Sequence, residues 1–308
     1  SVQNAGIELG VNFGVIRNQN FTWDVNVAFA RNWSKIKELP SGDDVSNNWF
    51  IGERLNVLRD YTYAGVITAD GVTMHTINGD KHYTLQEVYD KYGPKSPNKL
   101  KWYEGQMAVN DWNDDGKIND EDKQIYGCTD PKWTGSLSST MTYKGFDFSF
   151  MLYTKQGQWS RSYFHEQYMD ISDRGRQKMS FDYYIPAGTP VLDKATGDIT
   201  YLETPHMGAY PYPNNYEKTG GGYFSKSSSG VRYQKTSFVK VKNITLGYTF
   251  PKKWMSKIAV KHLRLYVNVL NPFCFTGYDG FDPEWASANL TDGGPASVTY
   301  QIGANIKF

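Results

Sequence analysis

The chain has 308 residues, and its 33 Lys and Arg against 32 Asp and Glu leave a net charge of +1; that balance predicts no nucleic acid partner. Two cysteines exclude a disulfide-rich scaffold and a multi-cysteine zinc site. Mean hydropathy is −0.59 and no apolar run exceeds four residues, at 27–30 and 150–153, whereas a membrane-spanning helix takes about 20. Aromatics nevertheless reach 16%, which leaves a soluble β-rich binding protein or a β-barrel whose alternating strands hide from hydropathy averages. The chain opens Ser1, Val2, Gln3 with no Met and no leader, as a mature form or an internal piece of something longer would.

Seven segments alternate with period two, the mark of strands with two unlike faces. In the first, Ile7, Leu9, Val11, Phe13 and Val15 alternate with Glu8, Gly10, Asn12 and Gly14. The second sets Phe21, Trp23, Val25, Val27 and Phe29 against Thr22, Asp24, Asn26 and Ala28. In the third, Leu137, Ser139, Met141 and Tyr143 oppose Ser136, Ser138, Thr140 and Thr142, and the fourth puts Phe146, Phe148, Phe150 and Leu152 on one side. The fifth spans 237–250. Its Ile244, Leu246, Tyr248 and Phe250 are in phase but Val239 and Val241 are not, which predicts a bulge near Asn243. The sixth carries Leu263, Leu265, Val267 and Val269. The seventh carries Val298, Tyr300, Ile302, Ala304, Ile306 and Phe308.

Several of these strands exceed the usual length of about five or six residues and suffice for the roughly 9–11 tilted residues that cross a bilayer. Alternation alone leaves a sandwich open. The connections tilt the reading toward a barrel. Short links, at 17–20, 144–145 and about 251–260, alternate strictly with long ones, at 34–132, 157–235 and 272–295. Outer-membrane barrels show this parity, with short periplasmic turns and long extracellular loops. The terminal Phe308 has the form of a barrel-assembly signal, and Trp23, Trp133, Tyr143, Phe146, Tyr248, Phe250 and Tyr266 suit interfacial girdles. Seven strands cannot close a bacterial barrel, so the all-β chain is expected to be the C-terminal strands of a large antiparallel transmembrane β-barrel, with the remaining part of the same barrel and the lipid bilayer as its partners.

Residues 111–122 match a calcium-loop spacing. Asp111, Asn113 and Asp115 supply oxygens at positions 1, 3 and 5, Lys117 its carbonyl at 7, Asn119 a ligand or a water contact at 9, and Asp122 the closing carboxylate. Gly116 permits the turn and Ile118 anchors it. The expected cofactor is a structural Ca2+ or Mg2+ in an extracellular loop, outside a two-helix hand. An Asp- and Asn-rich turn without metal is the alternative.

Taken together, several stretches resemble a known family. They are DWNDDGKI at 111–118 followed by Asp122, Gly127 and Pro131, RYQKTSFVKVKNITLGYTFP at 232–251, LYVNVLNPF at 265–273, TGY at 276–278, GFDPE at 280–284 and the Phe308 terminus. The chain resembles the C-terminal part of SusC-like TonB-dependent outer-membrane transporters of Bacteroidetes. The resemblance implies a 22-stranded barrel, a plug domain absent from this chain, a TonB complex engaged through the missing N-terminal part, and a SusD-like surface lipoprotein as cap. It implies import of oligosaccharides or oligopeptides. A passive porin-like barrel and a soluble β-rich glycan-binding or adhesin domain are the alternatives.

Candidate cargo contacts are the loop aromatics Trp159, Tyr210, Tyr212 and Trp285, with Trp49, Trp102, Tyr223 and Phe224 as further members. Packing against other loops or against the cap protein is the plainer reading of any single one of them. Glycines and serines at 220–222 and 225–230 suggest a flexible loop tip. No catalytic constellation emerges. The five histidines have no paired metal spacing, and Glu166, Asp170 and Asp173 read as a solvated loop. Cys128 and Cys274 both fall in predicted external loops, where pairing is open.

Overall fold

The structure is a computed structural model, described here for residues 1–92, 103–168, 182–212, 232–287 and 296–308, leaving aside the side chains of 166–168. The chain divides into two compact units. One comprises 1–57, 128–160 and 235–308, the other 58–127 and 161–234.

The first unit is a single antiparallel sheet of seven strands: β1 (Val2–Arg17), β2 (Phe21–Ile36), β3 (Trp133–Tyr143), β4 (Phe146–Gln156), β5 (Phe238–Thr249), β6 (His262–Thr276) and β7 (Thr299–Lys307). Each pairs with its neighbours in sequence order. All seven predicted strands are present, and several run further than alternation indicated. β2 continues to Ile36 and β6 to Thr276, so Cys274 lies on a strand rather than in a loop. Both cysteines are free.

Short turns use the chemistry they need. Lys144 and Gly145 both take positive φ, 46° and 91°, between β3 and β4. Asn18 accepts the Asn20 and Phe21 N–H groups (3.0 and 2.8 Å) between β1 and β2. The bulge predicted near Asn243 falls at Lys242: Met151 pairs with Asn243 while Leu152 pairs with Val241. The skipped residue brings Val239 and Val241 into phase with Ile244, Leu246 and Tyr248.

Register then assembles one apolar face across all the strands. Val27, Leu137, Leu152, Val241 and Phe273 form one row, and Val25, Ser139, Phe150, Ile244, Val269 and Tyr300 the next. Trp23, Met141, Phe148, Leu246, Val267 and Ile302 follow. This face is uncovered: Ile7 is 58% exposed, Phe275 62% and Ile302 87%. Fully burying one such side chain is worth about 1.5–3 kcal/mol, so the whole face represents on the order of tens of kcal/mol. A domain with net stability of about 5–15 kcal/mol does not leave that in water.

The second unit has its own small core, which the sequence reading treated only as long loop. Ile67, Val72, Met74, Val88, Tyr89, Tyr92, Tyr103, Ala108, Val109 and Ile118 pack together. Strands Tyr63–Val66 and Met107–Val109 pair, as do Val72–Thr76 and Gly79–Tyr83. Helix α1 (Leu85–Tyr92) starts with a capping box: Thr84 Oγ1 accepts the Glu87 N–H, and Glu87 accepts the Thr84 N–H at 2.8 Å. Val88, Tyr89 and Tyr92 on its inner side are buried.

Candidate functional site

The opposite face of the seven-stranded sheet is polar, and its side chains bond across strands. The Asn26 amide donates to Asn12, Thr245 Oγ1 donates to Asn268 (2.9 Å), and Asn268 donates to Gln301 (2.9 Å). Arg264 on β6 donates from Nε to Asp147 on β4 at 2.9 Å, with β5 between them. Gly247 makes this possible, because a Cβ there would sit 2.5 Å from both partners. Tyr266 belongs to this polar face too, not to a lipid girdle as its position suggested. Its ring covers Gly303, and Arg264 lies 4.9 Å from the ring centre.

At the far end of β5 the two most specific stretches of the sequence meet. Lys240, 3% exposed, donates to Asp282 (2.6 and 2.8 Å) and to Glu284 (2.6 Å). Lys242 donates to Glu284 at 2.7 Å. Burial works to raise the Glu284 carboxyl, but these lysine hydrogen bonds outweigh it and hold the group below the usual carboxylate range. Asp282 also accepts the Glu284 and Ala296 N–H groups, fixing the 280–284 loop against the sheet. A separation of 42 residues in sequence hid this cluster.

The 111–122 loop adopts a coiled turn between strands Met107–Val109 and Lys123–Cys128. Asp114 and Gly116 take φ of 64° and 83°. Asn113 Oδ1 accepts the Asp115 N–H (3.2 Å), Asp115 accepts the Lys117 N–H (2.8 Å), and Asp111 Oδ2 accepts the Gly116 N–H (2.9 Å). Asn119 caps the turn Asp120–Asp122, and Asp122 accepts the Asn119 N–H at 2.8 Å. Ile118 is buried in the core as its position predicted. Helix α1 sends the Tyr92 hydroxyl to Asp111 Oδ2 (2.7 Å) and Lys91 Nζ to the same oxygen (3.3 Å).

Asp111 and Asp122 are both fully buried. Among the described residues Asp111 Oδ1 has no hydrogen-bond partner. Burial and the neighbouring Asp111 raise the Asp122 carboxyl, against the N–H bonds it accepts. Two desolvated carboxylates, one with an orphaned oxygen, fit a hard cation. Among the described residues no three His, Cys, Asp or Glu side chains converge as a metal cluster; the loop instead offers a mixed set of Asp, Asn and carbonyl oxygens.

Of the candidate cargo contacts, Trp159 and Trp285 belong to the first unit and Tyr210 and Tyr212 to the second. Trp285 is 48% exposed. Lys235 Nζ sits 5.4 Å from the Trp159 ring centre, and Tyr210 stacks on the buried His165 at 5.8 Å. Tyr212 donates its N–H to the Gly105 carbonyl (2.7 Å). Trp102, Tyr223, Phe224, Asp170, Asp173 and the loop tip at 220–230 lie outside the described residues, as does the side chain of Glu166.

No protein-family model matches the chain. Among characterised proteins it is 27% identical over 312 residues to the TonB-dependent receptor SusC of Bacteroides thetaiotaomicron, across 100% of this chain and 26% of that protein. It is 29% identical over 339 residues to the TonB-dependent receptor P39 of Formosa agariphila, across 100% of this chain and 30% of that one. Over its whole length the chain is SusC-like, similar to one part of these TonB-dependent receptors. It spans only 26 to 30% of the length of these relatives. The fold of this SusC-like chain matches a structure of the RagAB peptide transporter with a TM-score of 0.60 at 17% identity, covering 100% of this chain and 29% of that one. Structures of the RagAB peptide importer in "closed-closed" and "open-open" states match with a TM-score of 0.58. TonB-dependent receptors are outer-membrane β-barrels and transport proteins rather than enzymes.

Proposed function

We propose that this SusC-like chain supplies seven neighbouring strands of a 22-stranded outer-membrane barrel that imports oligosaccharides or oligopeptides. A TonB complex drives the import through a plug encoded elsewhere in the protein, and a SusD-like lipoprotein caps the barrel. The observation that carries the reading is the pair of unlike sheet faces: an uncovered apolar face spanning seven strands, backed by a cross-linked polar one. The first suits lipid and the second a wet lumen. The match in fold to the RagAB peptide importer, in "closed-closed" and "open-open" states, supports a capped barrel.

The test uses the full-length protein in cells after Cys128 and Cys274 are replaced. A single cysteine at Ile302 is expected to react with lipid-soluble maleimides only, and one at Gln301 with water-soluble maleimides. Equal reaction of both with the water-soluble reagent refutes the membrane assignment. Cargo is read from uptake of labelled oligosaccharides and peptides by cells with and without the receptor.

The 111–122 loop is proposed to hold a structural Ca2+ through Asp111, Asn113, Asp115, the Lys117 carbonyl, Asn119 and Asp122, supported by the orphaned Asp111 oxygen. The ion would neutralise the buried carboxylates and pin the loop to the core through Ile118. Isothermal titration of the full-length protein tests it; no calcium binding at submillimolar concentration removes it.

A further inference from the structure

The sheet has a window near one end. β2 and β3 are paired from Phe21 and Tyr143 as far as Ala30 and Thr134, but β2 runs on to Ile36. Beyond Ala30 the two strands part, and the connecting chain closes round the gap. Gly52 donates its N–H to the Ile36 carbonyl (2.8 Å), and Ile36 donates to the Glu53 carbonyl (2.9 Å). Thr129 donates to the Asn56 carbonyl (3.0 Å). A cavity of about 620 Å3 opens here, lined by residues from segments 30–34, 54–55 and 130–134 and by Asn4, Ala5 and Gly6 of β1.

The far rim is braced internally. Arg54 donates to the carbonyls of Asp130 (3.2 Å) and Pro131 (3.3 Å), and the Asn56 amide donates to both Asp130 carboxylate oxygens at 3.1 Å. The near rim is not. In an antiparallel ladder the N–H and C=O of one residue point to the same side, and alternate residues point to opposite sides. Ile36 turns both groups away from β1, while Lys37 turns its N–H to the Ser1 carbonyl (3.0 Å). The β1–β2 register is unbroken from Val25 to Ile36. Asn32 and Ser34 thus aim their N–H and C=O groups into the window, which both residues line. Among the described residues none of these four groups has a partner. The Asn32 side chain does not fill the space: it lies back over Gly6, where a Cβ would stand 2.0 Å from its Oδ1. Trp33 and Trp133 flank the opening.

We infer that this window binds a short extended peptide, which adds to the free edge of β2 through main-chain hydrogen bonds to Asn32 and Ser34. The inference rests on the importer reading and names peptide, rather than glycan, as a cargo. Donor and acceptor pairs on one strand edge recur about every 6.8 Å, two residues of about 3.4 Å each. An extended polypeptide repeats that spacing along its own edge, and sugar hydroxyls do not. Arg54 and Asp130, the charged residues of the lining, are paired with each other at 3.9 Å. Recognition through the main chain tolerates many sequences.

The experiment uses full-length receptor in detergent and an acetylated, amidated hexapeptide of alternating Ala and Thr, with maltohexaose as control. Binding of the hexapeptide is expected, and Ser34→Pro is expected to weaken it at least tenfold. The Ser34 N–H faces the window, so proline there removes no bond to β1. Ser34→Ala, which keeps the main chain, is expected to leave affinity unchanged. The same peptide N-methylated at every residue is expected to bind the wild type at least tenfold more weakly, and this arm decides alone if the proline variant fails to assemble. Equal binding of the N-methylated peptide, unchanged binding by an assembled Ser34→Pro, or binding of maltohexaose but not peptide overturns the inference. Whole-cell uptake separates it from the importer reading. Receptor-dependent peptide uptake with the same apparent affinity in Ser34→Pro sinks the window alone. Uptake of both probes that is indifferent to deletion of the receptor sinks import, while the binding arms still decide the window.

Discussion

Arg264 on β6 holds the carboxylate of Asp147 on β4 across the full width of β5, at 2.9 Å from Nε. The bond passes over Gly247, the one position of that row where a side chain would block it. Both side chains are about a quarter exposed, at 23% and 25%, so solvent screens the pair only in part. Arg264→Ala is expected to destabilise the assembled barrel by about 1.5–3 kcal/mol, the range for hydrogen bonds to charged groups. Gly247→Ala is expected to do similar damage without touching either charge. Urea unfolding of the full-length protein in liposomes checks both; a Gly247→Ala protein as stable as wild type contradicts the account.

The Lys240 cluster predicts both a mutational and a pH effect. Lys240→Met leaves Asp282 buried without its cation, a change that costs about 3–5 kcal/mol. Limited proteolysis is expected to cut the 277–298 connection faster in this variant. The Glu284 carboxyl titrates below its ordinary range in the folded protein. Its contribution is therefore complete above its unfolded value of about 4.3 and is lost as pH falls through the lower folded value. Wild-type proteolysis of this connection should rise in acid, and Glu284→Gln should flatten that rise.

Cation binding predicts a third effect. Asp111→Ala and Asp122→Asn are each expected to lower calcium affinity at least tenfold, an order of magnitude set by loss of one charged ligand. EDTA is expected to speed hydrogen exchange at Ile118 and Tyr92, because loop and core share those residues. Exchange that ignores both EDTA and Asp111→Ala argues for a metal-free Asx turn.

The lipid face predicts a strong asymmetry between sequence neighbours. Ile302→Lys is expected to destabilise the barrel by about 2–4 kcal/mol, as a lysine near the bilayer midplane does. Gln301→Lys, on the polar face, loses only the exposed bond from Asn268 and is expected to cost about 0.5–1.5 kcal/mol. Heat-modifiability on gels and refolding into liposomes read the difference, and equal losses would contradict the assigned faces.

The strands were legible in the sequence because period-two alternation is a local signal, and Ile302 beside Gln301 declares its face without knowledge of any partner. Even the bulge showed, since Val239 and Val241 fall out of step with Ile244. The 111–122 loop was readable for the same reason, with all its candidate ligands inside twelve positions. Contacts between distant segments were not. Nothing near Asp282 names Lys240, and nothing near Asp147 names Arg264. Tyr266 misled because an aromatic near a strand end resembles a girdle residue, whereas its partner is the bare backbone of Gly303. The core around Ile67, Met74 and Val109 was hidden because its strands are only three to five residues long, too short for periodicity to register.

Lys242 sets the reading frame of its strand. With it left out of the ladder, Lys242 and Asn243 follow one another on the polar face, and the valines before them and the isoleucine after them share the apolar one. Were Lys242 instead paired in line, with no residue skipped, the outer third of β5 would turn inside out, moving Val239 and Val241 to the polar face and Lys240 to the apolar one. Its identity matters for one contact with Glu284; its place outside the ladder decides which way the four strand residues before it point.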